Sequence, residues 1–399
     1  MGKSLLHTPE GVRDIYDSEC RAKQFVTDKI LRRMQLSGYE LIETPGFEYF
    51  DIFRKERGTV DPKLMYRFFD RDGETLVIRP DVTPSIARCA AKYYKNETMP
   101  LRFCYKSNTY INSGVYQGKL KETTQMGIEL INDNSVYSDA EVLVCAISSL
   151  LDAGLSEFQL EVGNAAFFDE LIKDLDLDAD TLTKLRGFIE EKFGYGVEAL
   201  LEKYDNIPAD TKTILSRLSD SFGSIKQLKE SEAIKLSLKN RKVKKAFDRL
   251  VALDKVLAGY GLDGYVTYDL SMLGKLGYYT GIIFRGYTYG TGEQILSGGR
   301  YDNLVSQFGL DAPAVGMSIT VDYLMAALSR QKKEISPREE KILIISSEKN
   351  VKEAYKKTSE YRIKGISTTL QVTNKPVSTE ELENYMDKFS FTKAEVMYE

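Results

Sequence analysis

The feature that most constrains the fold is a pair of long apolar segments joined by a loop that contains glycine and lysine. The segments Leu101–Ile111 and Thr123–Ile131 have strand-like composition, and a flexible loop joins them. A polar turn, RPDVTP (79–84), precedes them and opens a helix predicted at 81–95. Pro84 falls in the first turn of that helix, where its missing N–H is tolerated. This part of the chain is therefore predicted to form a helix followed by two strands.

Further elements surround these strands. Residues 17–37 have an amphipathic pattern that predicts a helix. Segments 64–70 and 74–79 flank an Arg-Asp-Gly turn and predict a β-hairpin. A second helix is predicted at 138–152, with Ser138 as its N-cap.

The residue pattern changes between about Ala165 and Tyr260, where runs with helical periodicity dominate and runs of β-branched residues are scarce. This composition predicts a helical insertion. The Lys-rich run 235–249 inside it is interpreted as the solvated face of a helix. SGGRYDNLVSQFG (297–309) is predicted to be a glycine turn that enters a helix. Strand character returns in three segments and at the start of a fourth, which then becomes helical: 264–271, 278–287, 292–297 and 314–328.

The segment RQKKEISPREE (330–340) is charged and contains proline, which is typical of a linker. A β-α-β-α-β pattern follows and predicts a small α/β domain at 341–399. The predicted organisation is a core at 1–329, with the insertion at about 165–260, then the linker and the small domain.

Composition excludes several classes of protein. The chain has 399 residues, of which 42% are hydrophobic and 29% charged, as in soluble globular proteins. No apolar run reaches the length of about 18 residues that a membrane span needs, and no signal-peptide core is present. The four cysteines lack metal-ligand spacing and are predicted to be buried reduced thiols: Cys20, Cys89, Cys104 and Cys145. We therefore expect a cytoplasmic protein without a membrane segment, a metal or a cofactor.

Histidine is nearly absent from the sequence. His7 is the only one, so histidine-based acid–base catalysis and histidine-rich zinc sites are not expected. The formal net charge is -4, which is unlike the basic surface of a dedicated nucleic-acid binder. We therefore expect no tRNA partner.

Five sequence motifs together resemble those of histidyl-tRNA synthetases, a family of class II aminoacyl-tRNA synthetases. The resemblance covers most of residues 5–328 and implies the α+β class, with a class II synthetase-like antiparallel sheet flanked by helices. Motif 1 builds the subunit interface in this class, so the resemblance also implies a self-dimer through the motif 1 region. The motifs are TPEGVRDI (8–15), the motif 1 segment GYELIETPGFEYFDIF (38–53), RPDVTP (79–84), SGGRYD (297–302) and the motif 3 segment AVGMSITVDYL (314–324).

Matching residues imply a histidine pocket. RPDVTP is similar to the family's RPExTA segment, which contacts the amino group of histidine, and TQMGIE carries two further substrate contacts. The segment LGYYTG is similar to the histidine-specific LDYYTG element. The candidate pocket consists of Asp81, Thr83, Gln125, Glu129, Tyr278 and Tyr279. Arg300 and Asp302 of SGGRYD are predicted to form a buried structural pair.

The cationic groups that hold ATP in this family are missing. Motif 2 of the family is a strand pair that resembles Leu101–Ile111 and Thr123–Ile131, and the arginine at the end of its first strand falls on Ile111. The arginine of RGLDYY falls on Gly274, and the motif 3 arginine falls on Tyr323. A one-residue shift would place Lys275 at the second position instead. Losing one well-placed donor costs about 10²–10³ in rate, so we expect a deficit above about 10⁴ and no catalytic residues.

A synthetase-like site without these arginines is similar to the regulatory subunits of ATP phosphoribosyltransferase, a family of histidyl-tRNA synthetase paralogues. The resemblance implies a non-catalytic protein that pairs with a short-form catalytic subunit in a hetero-octamer. That pairing supports the first step of histidine biosynthesis and its feedback inhibition by L-histidine. Members usually lack a full anticodon-binding domain, and segment 341–399 has the size of a shortened one.

Two other functions stay open at the level of sequence: an active histidyl-tRNA synthetase, and a free-standing amino-acid or RNA sensor on the same fold. The pocket assignment has alternatives as well. Its residues are also compatible with a hydrogen-bonded core that takes no ligand, and a feedback site is equally possible at the interface with the catalytic chain.

Overall fold

A computed structural model describes residues 5–54, 60–114, 119–274, 278–333, 335 and 340–398. Lys275 and part of the loop between the first two predicted strands therefore lie outside the described residues, as do residues 334 and 336–339 of the predicted linker. The chain divides into two compact units, Met1–Arg13 with Val26–Lys333, and Asp14–Phe25 with Glu334–Glu399. The domain boundaries predicted from the sequence stay predictions.

The strands are numbered in chain order. They are β1 (Glu40–Leu41), β2 (Phe47–Tyr49), β3 (Arg67–Phe69), β4 (Thr75–Ile78), β5 (Leu101–Tyr110), β6 (Glu122–Ile131), β7 (Gln159–Asn164), β8 (Phe222–Gly223), β9 (Val266–Asp269), β10 (Ile282–Tyr287), β11 (Leu296–Arg300), β12 (Ala314–Thr320), β13 (Lys341–Ser346), β14 (Ser367–Val372) and β15 (Lys393–Met397).

The helices are numbered in the same way. They are α1 (Asp17–Leu36), α2 (Thr83–Tyr93), α3 (Val136–Asp152), α4 (Ala165–Ile172), α5 (Ala179–Glu190), α6 (Gly194–Leu201), α7 (Ala209–Leu218), α8 (Ile225–Glu230), α9 (Glu232–Ser237), α10 (Arg241–Gly259), α11 (Val321–Arg330), α12 (Val351–Ile363) and α13 (Thr379–Phe389).

Nine of the described strands form the central sheet of the first unit, in the order β1-β5-β6-β12-β11-β10-β7-β9-β8. The two strands predicted from the apolar segments form the long antiparallel hairpin β5–β6, which pairs from Leu101 with Ile131 to Tyr110 with Glu122. Parallel pairing occurs toward the two sides of the sheet, between β1 and β5 and between β7 and β9. The predicted α+β sheet flanked by helices is confirmed, with these two parallel pairs added.

The segment between β7 and β9 contains α4 to α10 and the short strand β8. Its predicted helical character is confirmed. Lysines of the run 235–249 are exposed on α9 and α10, as predicted for a solvated helix face. The predicted hairpin at 64–79 is also confirmed, because β3 and β4 pair antiparallel and join β2 in a separate small sheet.

The predicted glycine turn at the start of segment 297–309 is wrong. Residues 297–300 belong to strand β11, and only a short 3-10 helix at Val305–Phe308 follows. A Cβ atom on Gly299 would lie 2.6 Å from the ring of Tyr279. Glycine is needed here because the tyrosine ring packs directly on the strand, and not because the chain turns.

Two smaller predictions also need correction. The N-cap of α3 is Ser135, whose side chain accepts a hydrogen bond from the backbone N–H of Ser138. The helix begins one turn earlier than predicted because both serines have capping chemistry at the right spacing. Cys20 is exposed on α1, whereas the other three cysteines are buried, and all four are free thiols.

The second unit contains a parallel sheet in the order β14-β13-β15, as the β-α-β-α-β pattern predicted. Strand β13 is buried on both faces: Ile342 and Ile344 pack into one apolar cluster, and Leu343 and Ile345 pack into another. Burial on both faces explains its continuous apolar sequence. Among the described residues, no helix has the length and apolar character needed to cross a bilayer.

Candidate functional site

A cavity of about 410 Å³ opens on one face of the central sheet, and all six residues of the predicted pocket line it. The volume lies within the range of about 300–1,000 Å³ that small-molecule sites occupy. The other described residues around it are Val60, Pro80, Gly274, Ile283, Phe284, Arg285, Gln294, Ser297, Gly298, Gly299, Tyr301, Gly316, Met317, Ser318 and Thr320.

Three parts of the fold bring the polar side chains together. Gln125 and Glu129 are four residues apart on β6, so both face the same side of the sheet. Asp81 and Thr83 lie at the start of α2, where the Asp81 carboxylate accepts a hydrogen bond of 2.7 Å from the backbone N–H of Val82. The tyrosine pair precedes β10. The site therefore depends on the whole sheet and not on one loop.

Glu129 is the most buried carboxylate of the cavity, with 1% of its surface exposed. It accepts hydrogen bonds from the Thr83 hydroxyl, at 2.6 Å, and from the Tyr301 hydroxyl. Burial raises the pKa of Glu129 to about 8, the two hydrogen bonds oppose that rise, and the charge of Asp81 adds to it. At neutral pH the empty cavity therefore favours the protonated carboxyl.

Gly316 on β12 makes room for this carboxylate. It lies opposite Glu129 in the strand register, and a Cβ atom on it would fall 1.8 Å from Oε2 of Glu129. Any side chain at position 316 would therefore displace the carboxylate. The glycine at position 316 of β12 is therefore explained by the Glu129 carboxylate on the neighbouring strand β6.

Aromatic rings form one wall of the site. The Tyr278 and Tyr279 rings are 4.9 Å apart in an edge-to-face arrangement, and Tyr278 stacks on Tyr301 at 5.9 Å. The side-chain oxygen of Gln125 is buried without a hydrogen-bond partner among the described residues. A buried acceptor without a donor is unfavourable, so a ligand N–H group would satisfy it.

The whole chain was compared with known proteins. A family model described as Histidyl-tRNA synthetase matches residues 11–324. The ATP phosphoribosyltransferase regulatory subunit of Acetivibrio thermocellus is 38% identical over 93% of this chain and 88% of its own length. The protein of the same name from Clostridium acetobutylicum is 37% identical over 90% and 88%.

The chain belongs to the histidyl-tRNA synthetase family and, within it, to the ATP phosphoribosyltransferase regulatory subunits. A solved structure agrees with this placement. The crystal structure of an ATP phosphoribosyltransferase regulatory subunit/histidyl-tRNA synthetase from Bacillus halodurans C has a TM-score of 0.85 at 29% identity, covering 100% of both chains. The predicted class II synthetase-like fold is confirmed by these matches.

The three positions where the family's arginines are missing lie in different parts of the fold. Gly274 lines the cavity, whereas Ile111 and Tyr323 are not among the described lining residues. Ile111 continues the hairpin beyond β5 and donates its backbone N–H to the carbonyl of Lys121 at 2.8 Å. Tyr323 is half-buried in the first turn of α11. None of the three supplies a cation.

The predicted pair Arg300–Asp302 exists at 3.1 Å, but it is not the main contact of this arginine. Arg300 and Asp139 on α3 are both buried and form two hydrogen bonds of 2.7 and 2.9 Å. Arg249 on α10 binds the second oxygen of the same carboxylate at 2.5 Å. The sequence does not reveal Asp139 as the central partner because it lies far from SGGRYD along the chain.

Tyr301 and Arg285 line the cavity, but they are not among the residues predicted from the sequence. Tyr301 belongs to the motif SGGRYD, yet its hydroxyl serves Glu129, a contact that only the pairing of β11, β12 and β6 brings about. Arg285 lies just beyond the motif around the tyrosine pair and carried no signal of its own. Among the described residues, no cluster of three or more His, Cys, Asp or Glu side chains could hold a metal ion.

Proposed function

We propose that this chain regulates a separate short-form ATP phosphoribosyltransferase catalytic subunit, with L-histidine in the cavity as the feedback effector. The observation that carries the proposal is the cavity itself. Its polar groups suit an amino acid, since the carboxylates of Asp81 and Glu129 can accept from an ammonium group and Gln125 offers a buried acceptor. The name of the relatives supplies the identity of the partner.

The same cavity is unsuited to amino-acid activation. Adenylation releases pyrophosphate, so cationic donors must hold phosphate charge in the transition state. Ile111, Gly274 and Tyr323 provide none. We therefore propose a regulatory role without catalytic residues and without a tRNA substrate, which accords with the net charge of -4.

Reconstitution with a short-form catalytic subunit tests the proposal. The chain should stimulate formation of phosphoribosyl-ATP, and L-histidine should inhibit the mixture. Without a complex and without stimulation, a free-standing sensor is the better explanation. Histidine-dependent exchange between ATP and pyrophosphate by the purified chain alone would instead establish a synthetase.

Calorimetric titration of L-histidine into the chain tests the pocket. Asp81→Ala should weaken binding, because it removes a carboxylate from the cavity. Asp180→Ala, at an exposed position on α5, is the matched control and should bind as the wild type does. Equal affinity in the wild type and in Asp81→Ala would move the feedback site elsewhere, for example to the interface with the catalytic chain.

We also propose that the chain assembles with itself through the motif 1 region, as a step toward a hetero-octamer with the catalytic subunit. Large apolar side chains share one face of the small sheet and are exposed there: Phe47, Tyr49 and Phe68 are 56%, 57% and 37% exposed, and the Phe47 and Phe68 rings are 5.7 Å apart. A cluster of this kind on a folded surface is typical of a protein interface.

A further inference from the structure

Arg285 on β10 has a special position in the cavity. It is half-buried, and it is the only Lys, Arg or His among the described residues that line the 410 Å³ space. It also lines a neighbouring cavity of about 320 Å³, together with Glu161, Lys192 and Asp269. The guanidinium of Arg285 thus lies between the two cavities, on one face of the sheet.

This guanidinium is only partly compensated by its neighbours: burial raises the pKa of the nearby Glu161 carboxyl, and the charges of Lys192 and Arg285 oppose that rise. Arg285 lies directly opposite Glu161 in the register of β10 and β7, yet it makes no hydrogen bond or ion pair within the described part of the chain. The other acid nearby, Asp269, is already paired with Lys192 at 2.8 Å. The guanidinium donors of Arg285 are therefore not taken up by a bonded carboxylate, and an anionic ligand group can accept charge-assisted hydrogen bonds from them.

The charges of the cavity are separated across the sheet. Arg285 is on β10 and Glu129 is on β6, with β11 and β12 between them. Three strand spacings correspond to about 14 Å between the two backbones, and both side chains extend into the space from their own side. A small ligand that carries both a carboxylate and an ammonium group can meet the opposite charge of each from the two sides of this space.

The surroundings of Gly274 support the same assignment. A Cβ atom on Gly274, whose φ is +63°, would lie 2.6 Å from Cδ1 of Ile283 and 2.9 Å from the Tyr279 ring. Arg285 follows Ile283 on that face of β10. Burial raises the pKa of the Tyr279 phenol and the positive charge of Arg285 opposes the rise, so the guanidinium lies near this ring. The guanidinium of Arg285 therefore places a positive charge near the part of the cavity that Gly274 lines without one.

We propose that Arg285 binds the α-carboxylate of the amino-acid effector, while Glu129 and Asp81 receive its ammonium group. The proposal rests on the proposed histidine pocket and adds the residue that selects for a carboxylate. Charge-assisted bonds from a planar guanidinium to a carboxylate are among the stronger polar contacts in proteins.

Titration calorimetry with two ligands tests the proposal. L-histidine should bind about 10- to 100-fold more weakly to Arg285→Met than to the wild type, and Arg285→Lys should fall between them. Histamine has no carboxylate, so its affinity should be the same for the wild type and for Arg285→Met. Arg241→Met, at an exposed position of α10, is the matched control and should leave both affinities unchanged.

The outcomes separate this proposal from the one on which it rests. If L-histidine does not bind the wild type at all, the pocket itself is wrong. If L-histidine binds the wild type and Arg285→Met equally well, only the role of Arg285 is overturned. An equal loss for histamine and histidine would also overturn it, because Arg285 would then act on the shape of the cavity. Thermal unfolding of each variant establishes that it is folded.

Discussion

At the scale of single residues, the site is shaped by polar groups that burial has made unusual. Glu129 is enclosed by Thr83, Tyr301 and Gly316, which together fix the position of its carboxyl group. Such enclosure raises the pKa, and it also leaves no space for an extra methyl group. Two predictions follow from these two properties.

The first concerns pH and stability. Folding raises the pKa of Glu129 from about 4.5 to about 8, so the folded chain holds this proton more tightly than the unfolded chain. The resulting stabilisation is complete below pH 4.5 and is lost as the pH rises through 8. Relative to Glu129→Gln, the wild type should lose up to about 1.4 kcal/mol of unfolding free energy per pH unit in this window. Urea unfolding at several pH values measures the difference.

Glu198→Gln, at an exposed position on α6, is the control for that series and should follow the pH dependence of the wild type. A constant difference between the wild type and Glu129→Gln across the window would show that Glu129 keeps an ordinary pKa.

The second prediction concerns Gly316. In Gly316→Ala the new methyl group would collide with Oε2 of Glu129, so the strand or the carboxylate must move. We expect a loss of about 1–3 kcal/mol in stability and much weaker histidine binding. Gly187→Ala on α5, where no atom lies within 4 Å of the new Cβ, should instead stabilise by about 0.5–1 kcal/mol. Denaturant unfolding and calorimetry check both variants.

At the scale of elements, the sequence predicted what local patterns determine. The hairpin β5–β6, helix α1 and the strand–helix unit β12–α11 follow from composition and periodicity, and the structure has them. Strand β11 was mistaken for a turn because its SGGR sequence lacks strand-forming side chains. Its glycines are required by rings and backbone on other elements, and such contacts have no local signature.

Motif resemblance allowed the six pocket residues to be named, and the structure brings them to one cavity. Tyr301 and Arg285 could not be named in this way, because their places depend on strand order across the sheet. Asp139 was missed for a similar reason: it links α3 to β11 and α10, and the three elements are far apart in the sequence.

That link gives a prediction for the elements. Asp139→Ala would leave the buried Arg300 without its main counter-ion, so we expect a loss of about 3–5 kcal/mol in unfolding free energy. Asp152→Ala at the other end of α3 is the matched control. Its ion pair with Arg33 is about one-third exposed, so the change should be below about 1 kcal/mol. Similar losses in the two variants would mean that the Arg300 network contributes little.

At the scale of the whole molecule, family membership explains the architecture, and the exposed apolar side chains of the small sheet bear on assembly. Phe47 and Tyr49 lie on the same face of that sheet and are more than half exposed. Their exposure in a single chain is consistent with the proposed self-association.

Tyr49→Glu should therefore shift the chain toward monomer, because an interface cannot easily bury an unpaired carboxylate. Light scattering coupled to size-exclusion chromatography measures the mass. Tyr289→Glu is the control: this tyrosine is 55% exposed and precedes β11, outside the small sheet, and its substitution should leave the mass unchanged. A wild-type chain that is monomeric at all concentrations would argue against the self-dimer.

The raised pKa of the buried Glu129 carboxyl also couples ligand binding in the cavity to the pH of the solution. When an ammonium group arrives beside it, the carboxylate form becomes favourable and the chain must discharge hydrogen ions into the solvent. Histidine titrations at pH 7 in buffers of different ionisation enthalpy should therefore give different heats, and Glu129→Gln should remove most of that difference. Because binding releases protons, the affinity for histidine should increase as the pH rises. Occupancy of the cavity would then depend both on the histidine concentration and on the pH.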